Sequence, residues 1–128
     1  IYDPIKDELF YAEKNGGSYL NNKSIRVSKK NNISDCLYGV NFRKNLPENL
    51  IIRNTGSAAL DLAYVSCGRF DVCLEKNVNL WDIAAGTVLI KEAGGVVDNF
   101  EFKEFNKISI KASNERISGA LNKKINIF

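Results

Sequence analysis

Glu75 and Asp82 are the residues of this chain best placed to do chemistry. They flank a short loop between a run expected to be a strand, Phe70 to Leu74, and a run expected to be a helix, Asp82 to Ala93. A carboxylate at the positive end of a helix, beside a second carboxylate, makes half of a metal and polyol site. Hard cations take carboxylate oxygens, and hydroxyl groups donate hydrogen bonds to them. The strand-to-helix handover is also where α/β proteins tend to seat ligands. Gly56-Ser57-Ala58 adds a third part. It reads as a helix start whose N–H groups the helix leaves unused, and its small side chains let a ligand approach the backbone. Taken singly, each has a plainer reading: Asp82 as a helix cap, Glu75 as a solvated strand end, Gly56 to Ala58 as a capped, tightly packed helix start. The joint arrangement is what points to a site. Trp81, just before Asp82, is expected to fix the backbone there by its bulk.

The rest of the composition narrows the chemistry. The chain has no histidine, which removes serine–histidine and cysteine–histidine catalysis and any histidine-ligated zinc. The three cysteines, Cys36, Cys67 and Cys73, are odd in number, lie in apolar surroundings and show no C-x-x-C spacing. They read as small core residues of a protein from a reducing compartment, hence the cytoplasm. The net charge of +3 comes from lysines scattered over Lys29-Lys30, Lys103, Lys107 and Lys123-Lys124. Those read as solvated faces, so a nucleic-acid complex is permitted but not indicated. No apolar run approaches the roughly 20 residues of a membrane span, and no basic-then-apolar leader precedes the first strand. The chain lacks methionine and opens at Ile1 inside a strand-to-turn pattern, so it is expected to be a piece of a longer protein.

These residues need elements to hold them. At 128 residues the chain is long enough for one core. Residues 1–28 read as a small antiparallel meander: a strand over Leu9 to Glu13, a turn at Asn15-Gly16-Gly17, a return over Ser18 to Asn21, a turn at Asn22-Lys23, and alternation over Ile25 to Val27. Its apolar face calls for a cover, with a segment upstream of Ile1 the expected one. Cys36 to Phe42 reads as a strand and Arg43 to Asn49 as a loop. Ser57 caps a buried helix that runs to Cys67 and stops at Gly68. Phe70, Val72 and Leu74 should share one strand face, with Asp71, Cys73 and Glu75 on the other. The helix from Asp82 uses Ile83, Val88, Leu89 and Ile90 as apolar positions and ends at Gly94-Gly95. Strands over Val96 to Phe102 and Ile108 to Ala112 follow. Ser113-Asn114 then caps a last helix with Ile117, Ala120, Leu121 and Ile125 on one stripe. Helices alternating with strands imply an α/β layer.

The string Gly56-Ser57-Ala58-Ala59-Leu60-Asp61-Leu62-Ala63-Tyr64, then Gly68-Arg69-Phe70-Asp71, Glu75, Trp81-Asp82-Ile83-Ala84-Ala85-Gly86 and Glu92-Ala93-Gly94-Gly95, resembles the C-terminal half of inositol monophosphatases. The Trp-Asp to Gly-Gly portion is the specific part. Tyr2-Asp3-Pro4, Asp7-Glu8-Leu9, Ala12-Glu13 and Ala112-Ser113-Asn114 extend the likeness over the whole chain. The resemblance implies a fragment of a layered αβαβα sandwich, with residues 1–28 belonging to the N-terminal half of the parent fold and residues 29–128 forming a C-terminal α/β domain. It implies a magnesium-dependent, lithium-sensitive phosphatase of small polyol phosphates such as inositol monophosphate. Bisphosphate nucleotidases and sugar bisphosphatases share the signature, and some bacterial relatives serve as binding modules in RNA-processing or transcription complexes. By the same resemblance Asp82 is a metal ligand that also borders the substrate, Glu75 binds substrate hydroxyls, and Gly56, Ser57 and Ala58 form the helix start beside the substrate. The family's upstream Glu and its Asp-Pro-x-Asp-Gly-Thr motif are absent here, so the catalytic residues are expected outside this chain and the isolated piece is expected to be inactive. The implied full-length protein is a homodimer. Asn77 stands where the family usually has glycine, a place where asparagine's tolerance of left-handed backbone suits the loop.

Overall fold

The computed structural model describes residues 1–98 and 107–126. Strands β1 (Tyr2–Asp3), β2 (Glu8–Ala12), β3 (Ser18–Leu20) and β4 (Lys23–Ser24) form an antiparallel sheet in that order. Strands β5 (Leu37–Val40), β6 (Ile51–Arg53), β7 (Val72–Val78), β8 (Gly95–Asp98) and β9 (Ile108–Asn114) form a mixed sheet in the order β6-β5-β7-β9-β8. β5 runs parallel to both β6 and β7, while β9 is antiparallel to β7 and β8. Helices α1 (Ala58–Ser66) and α2 (Leu80–Glu92) lie between the two sheets, and α3 (Glu115–Lys124) covers the far face of the mixed sheet. The described residues therefore stack as sheet, helices, sheet, helix.

Two apolar cores hold these layers. One joins Phe10 of the meander to Leu62 and Val65 of α1, Ile83, Leu89 and Ile90 of α2, and Cys73 and Ile110 of the mixed sheet. The other packs Ile117, Leu121 and Ile125 on Cys36, Tyr38, Val72 and Leu74. The meander's inner face is thus covered by α1 and α2 of this same chain, not by an upstream segment. Arg69 ties the layers further. It makes a two-pronged ion pair with Glu8 and lies over the rings of Phe10 and Tyr64, at 6.0 and 5.2 Å from their centroids.

Several local expectations hold for the physical reasons given. Ser57 caps α1 and accepts the Leu60 N–H at 3.3 Å, and Gly68 follows the helix in left-handed backbone, φ +78°. Asn114 caps α3 in the same way at 3.1 Å. Gly94 takes φ +85° after α2. Cys36 and Cys73 are core residues, and Cys67 is half-buried; all three are free thiols.

Others are corrected. The fourth meander strand is Lys23–Ser24 rather than Ile25 to Val27, because Asn21 and Asn22 both take left-handed backbone and turn the chain a residue earlier. Ile51–Arg53 forms an edge strand where none was expected. Phe70 precedes β7 and packs edge-on against Tyr64 at 5.3 Å, so it does not share the face of Val72 and Leu74. Val88 and Ala120 face outward. Of the strand expected over Val96 to Phe102, residues 99–102 lie outside the described residues.

Candidate active site

A cleft of about 410 Å³ opens where the end of β7 meets the starts of α1 and α2. Gly56, Ser57, Ala58, Glu75 and Asp82 all line it, so the five residues singled out from the sequence share one site. Asn41, Asn54 and Asp61 line it too.

Asp82 is the third residue of α2, not its cap. Asn79 is the cap, and its backbone N–H and side-chain amide donate to Asp82 Oδ2 at 2.9 and 3.1 Å. A carboxylate in the first turn answers both the unpaired N–H groups there and the helix dipole. Trp81 does not fix this loop by packing: it is 70% exposed.

At the start of α1, Gly56 adopts φ +82°, and a side chain built there would meet nothing within 4 Å. Its amide donates to Asn54 Oδ1 at 2.8 Å, and the Ser57 amide donates to Thr55 Oγ1 at 3.2 Å. Two of the three amides are therefore engaged inside the chain. The Ala58 and Ala59 amides, in the first turn of α1, find no acceptor among the described residues.

Glu75 is not a solvated strand end. It is 1% exposed, on the α1 side of β7. There it neighbours Asp61, also 1% exposed, and the two carboxyls line the same cleft. Two like charges cannot both remain ionised so close together in a dry setting. Burial first, then the neighbouring Asp61, pushes Glu75 up to about 8. Burial also raises Asp61, against the opposing hydrogen bond that Thr55 Oγ1 donates at 2.7 Å. Glu75 therefore holds its proton at neutral pH. Cys73 Sγ stands 3.9 Å from Glu75 Oε1, its own thiol raised by burial. Asp61 lines the cleft without having been expected there. The available signal was an acidic residue inside an otherwise apolar buried helix, which demands a polar partner.

A β-bulge follows Glu75 directly. β7 and β9 pair at Glu75↔Ile110 and again at Val78↔Ile108, so Lys76 and Asn77 stand opposite Ser109 alone. Asn77 absorbs the extra residue with φ +55°, as expected of asparagine in this loop. The bulge brings Val78 onto Glu75's side of the sheet, where it joins the core around α1 and α2.

Among the described residues no group of three or more His, Cys, Asp or Glu side chains is gathered closely enough to hold a metal ion. Asp61 and Glu75 lie together in the cleft and Asp82 across it, a set too spread to enclose magnesium, which takes several oxygen ligands at once.

Comparison with known proteins now decides the family. The sequence profile of the inositol monophosphatase family matches residues 1–126. This chain belongs to the inositol monophosphatase family. This inositol monophosphatase family member is 39% identical to inositol-1-monophosphatase of Rhizobium meliloti, over 98% of its own length and 53% of that protein's. It is 38% identical to Nus factor SuhB of Xylella fastidiosa, over 79% of its own length and 42% of that protein's. A crystal structure of extragenic suppressor protein suhB from Bartonella henselae superposes with a TM-score of 0.86 at 39% identity, covering 96% of this family member and 56% of that chain. The family member thus spans about half the length of the curated relatives it matches. Its mixed α/β architecture is that of the inositol monophosphatase and SuhB folds.

Proposed function

We propose that this chain forms the polyol-binding half of a magnesium-dependent phosphatase of small polyol phosphate monoesters, inositol monophosphate first among them. The observation that carries the reading is the convergence of Glu75, Asp82 and the Gly56–Ala58 helix start on one cleft. In this reading Glu75 accepts from substrate hydroxyls, and the Ala58 and Ala59 amides donate to an oxygen of the substrate. Asp82 gives one ligand to the metal, and the remaining ligands and the catalytic residues come from outside this chain. Magnesium, when bound, supplies Lewis acidity at the phosphate.

The same proposal assigns residues 1–28 to the N-terminal half of the parent fold and residues 29–128 to its C-terminal α/β domain. It includes a homodimer, inhibition by lithium, and the cytoplasm, where three free cysteines stay reduced. No helix among the described residues is long and apolar enough to cross a membrane.

Assay of the full-length protein on inositol 1-phosphate, a nucleotide bisphosphate and a sugar bisphosphate tests the substrate. A strong preference for either bisphosphate replaces the inositol reading with the corresponding relative's activity. A second reading, a non-catalytic module of a transcription complex, draws on the SuhB relatives. Asp82→Asn separates the two. It keeps an acceptor for the Asn79 N–H but drops the charge, so turnover falls by orders of magnitude while partner binding stays intact.

A further inference from the structure

The bulge that begins just after Glu75 is gripped from outside the strand. Backbone pairing between β5 and β7 ends at Val40↔Leu74. Beyond it the Asn41 side chain takes over: its Nδ2 donates to the Lys76 carbonyl at 2.9 Å, and its Oδ1 accepts the Lys76 N–H at 2.9 Å. One amide side chain thus imitates the next peptide group of a parallel ladder. It holds both polar groups of the residue between Glu75 and the left-handed Asn77. Phe42 adds a second hold, with Lys76 Nζ 4.6 Å from its ring centroid. Both Asn41 bonds are exposed in the open cleft. Exposed bonds of this kind exchange with water and add little to stability. Their geometric effect is larger, because a bulge left free to slip would re-aim the side chain next to it.

We infer that Asn41 is a positioning residue for substrate, acting through the Lys76 backbone to hold Glu75 toward the polyol hydroxyls. The inference rests on the proposed role of Glu75. The full-length protein would be assayed as wild type, Asn41→Ala, Asn41→Ser, Glu75→Ala and the Asn41→Ala/Glu75→Ala double variant. KM and kcat on inositol 1-phosphate would be measured beside the melting temperature. Asn41→Ala and Asn41→Ser should each raise KM several-fold with a smaller change in kcat and a near-unchanged melting temperature. The double variant should match Glu75→Ala alone, because a residue that works through Glu75 has nothing left to position. If the Asn41→Ala effect multiplies with that of Glu75→Ala, Asn41 acts elsewhere and the inference is overturned while the role of Glu75 stands. Loss of the melting transition in both Asn41 variants overturns it as well, since the clamp would then serve the fold. If Glu75→Ala leaves KM unchanged, the substrate role of Glu75 fails and the inference falls with it.

Discussion

A carboxyl that keeps its proton at neutral pH is a different reagent from a carboxylate, since it donates a hydrogen bond as well as accepting one. Glu75 is such a carboxyl, and the consequence for stability has a definite sign. Unfolded, Glu75 loses its proton near its ordinary value of 4.5; folded, it keeps it up to about 8. Between those values the folded chain binds more protons than the unfolded one, so stability falls as pH rises through that window and is flat outside it. Asp61, also raised, adds to the same slope. Glu75→Gln replaces that proton with a permanent amide donor. Urea denaturation at pH 5 and pH 8.5 in metal-free buffer should show a smaller loss of stability with pH in the variant than in the wild type. An equal loss would place the titrating group elsewhere. The sequence located Glu75 and Asp82 by their position around a loop, yet it did not reveal that Glu75 is buried. Burial there depends on Asp61 arriving from another element, and the chain separation between the two hides the contact.

At the scale of elements, α1 and α2 carry the starts of both halves of the cleft, so the fit between them sets its width. Gly86 of α2 is buried against Leu62 of α1: a side-chain carbon at Gly86 would stand 2.5 Å from Leu62 Cβ and 2.6 Å from its Cδ1. The nearest atom is a Cβ fixed to the backbone, so the helices themselves must part. Alanine gains about 1 kcal/mol of helix propensity over glycine. Overpacking a tight core costs about 1–3 kcal/mol. Gly86→Ala should therefore destabilise by roughly 1 kcal/mol net. Gly119 of α3, with nothing within 4 Å, meets no such opposition, and Gly119→Ala should stabilise by up to about 1 kcal/mol. Denaturation midpoints of the two variants check the pair, and a stabilised Gly86→Ala would mean that the helices part more easily than a 2.5 Å approach to Leu62 Cβ implies. α1 was legible from its cap and stop and α2 from its stop, since the Ser57 hydroxyl and the left-handed Gly68 and Gly94 act locally, whereas α2 opens at Asn79, ahead of the Asp82 start expected. The edge strand Ile51–Arg53 was not, because three residues pairing only with β5 leave no periodicity to read. The bulge at Lys76-Asn77 shows only as an asparagine in a loop until β9 lies alongside.

For the molecule as a whole, the layered order was legible through family resemblance, whereas periodicity alone gave the elements without their stacking. The outer face of the first sheet exposes Tyr2, Leu9 and Tyr11, at 55, 45 and 41%, while its inner face is fully committed to α1 and α2. The chain thus carries its own cores, while among the described residues no cation cage forms. These two facts separate folding from metal binding. A ligand that binds only the folded state raises stability by an amount set by its concentration over its Kd, about 2.7 kcal/mol at a hundredfold excess. With no group of three or more such donors gathered among the described residues, millimolar magnesium has too few ligands there to reach that regime. The isolated 128-residue chain should melt at the same temperature with 5–10 mM magnesium (about the range in which a weak site would fill) as with EDTA, and it should release no phosphate from inositol 1-phosphate. A melting temperature that climbs with magnesium and returns to baseline in Asp82→Asn would mean that the chain gathers a metal site of its own around that carboxylate. Phosphate release would go further and place the catalytic groups inside these residues.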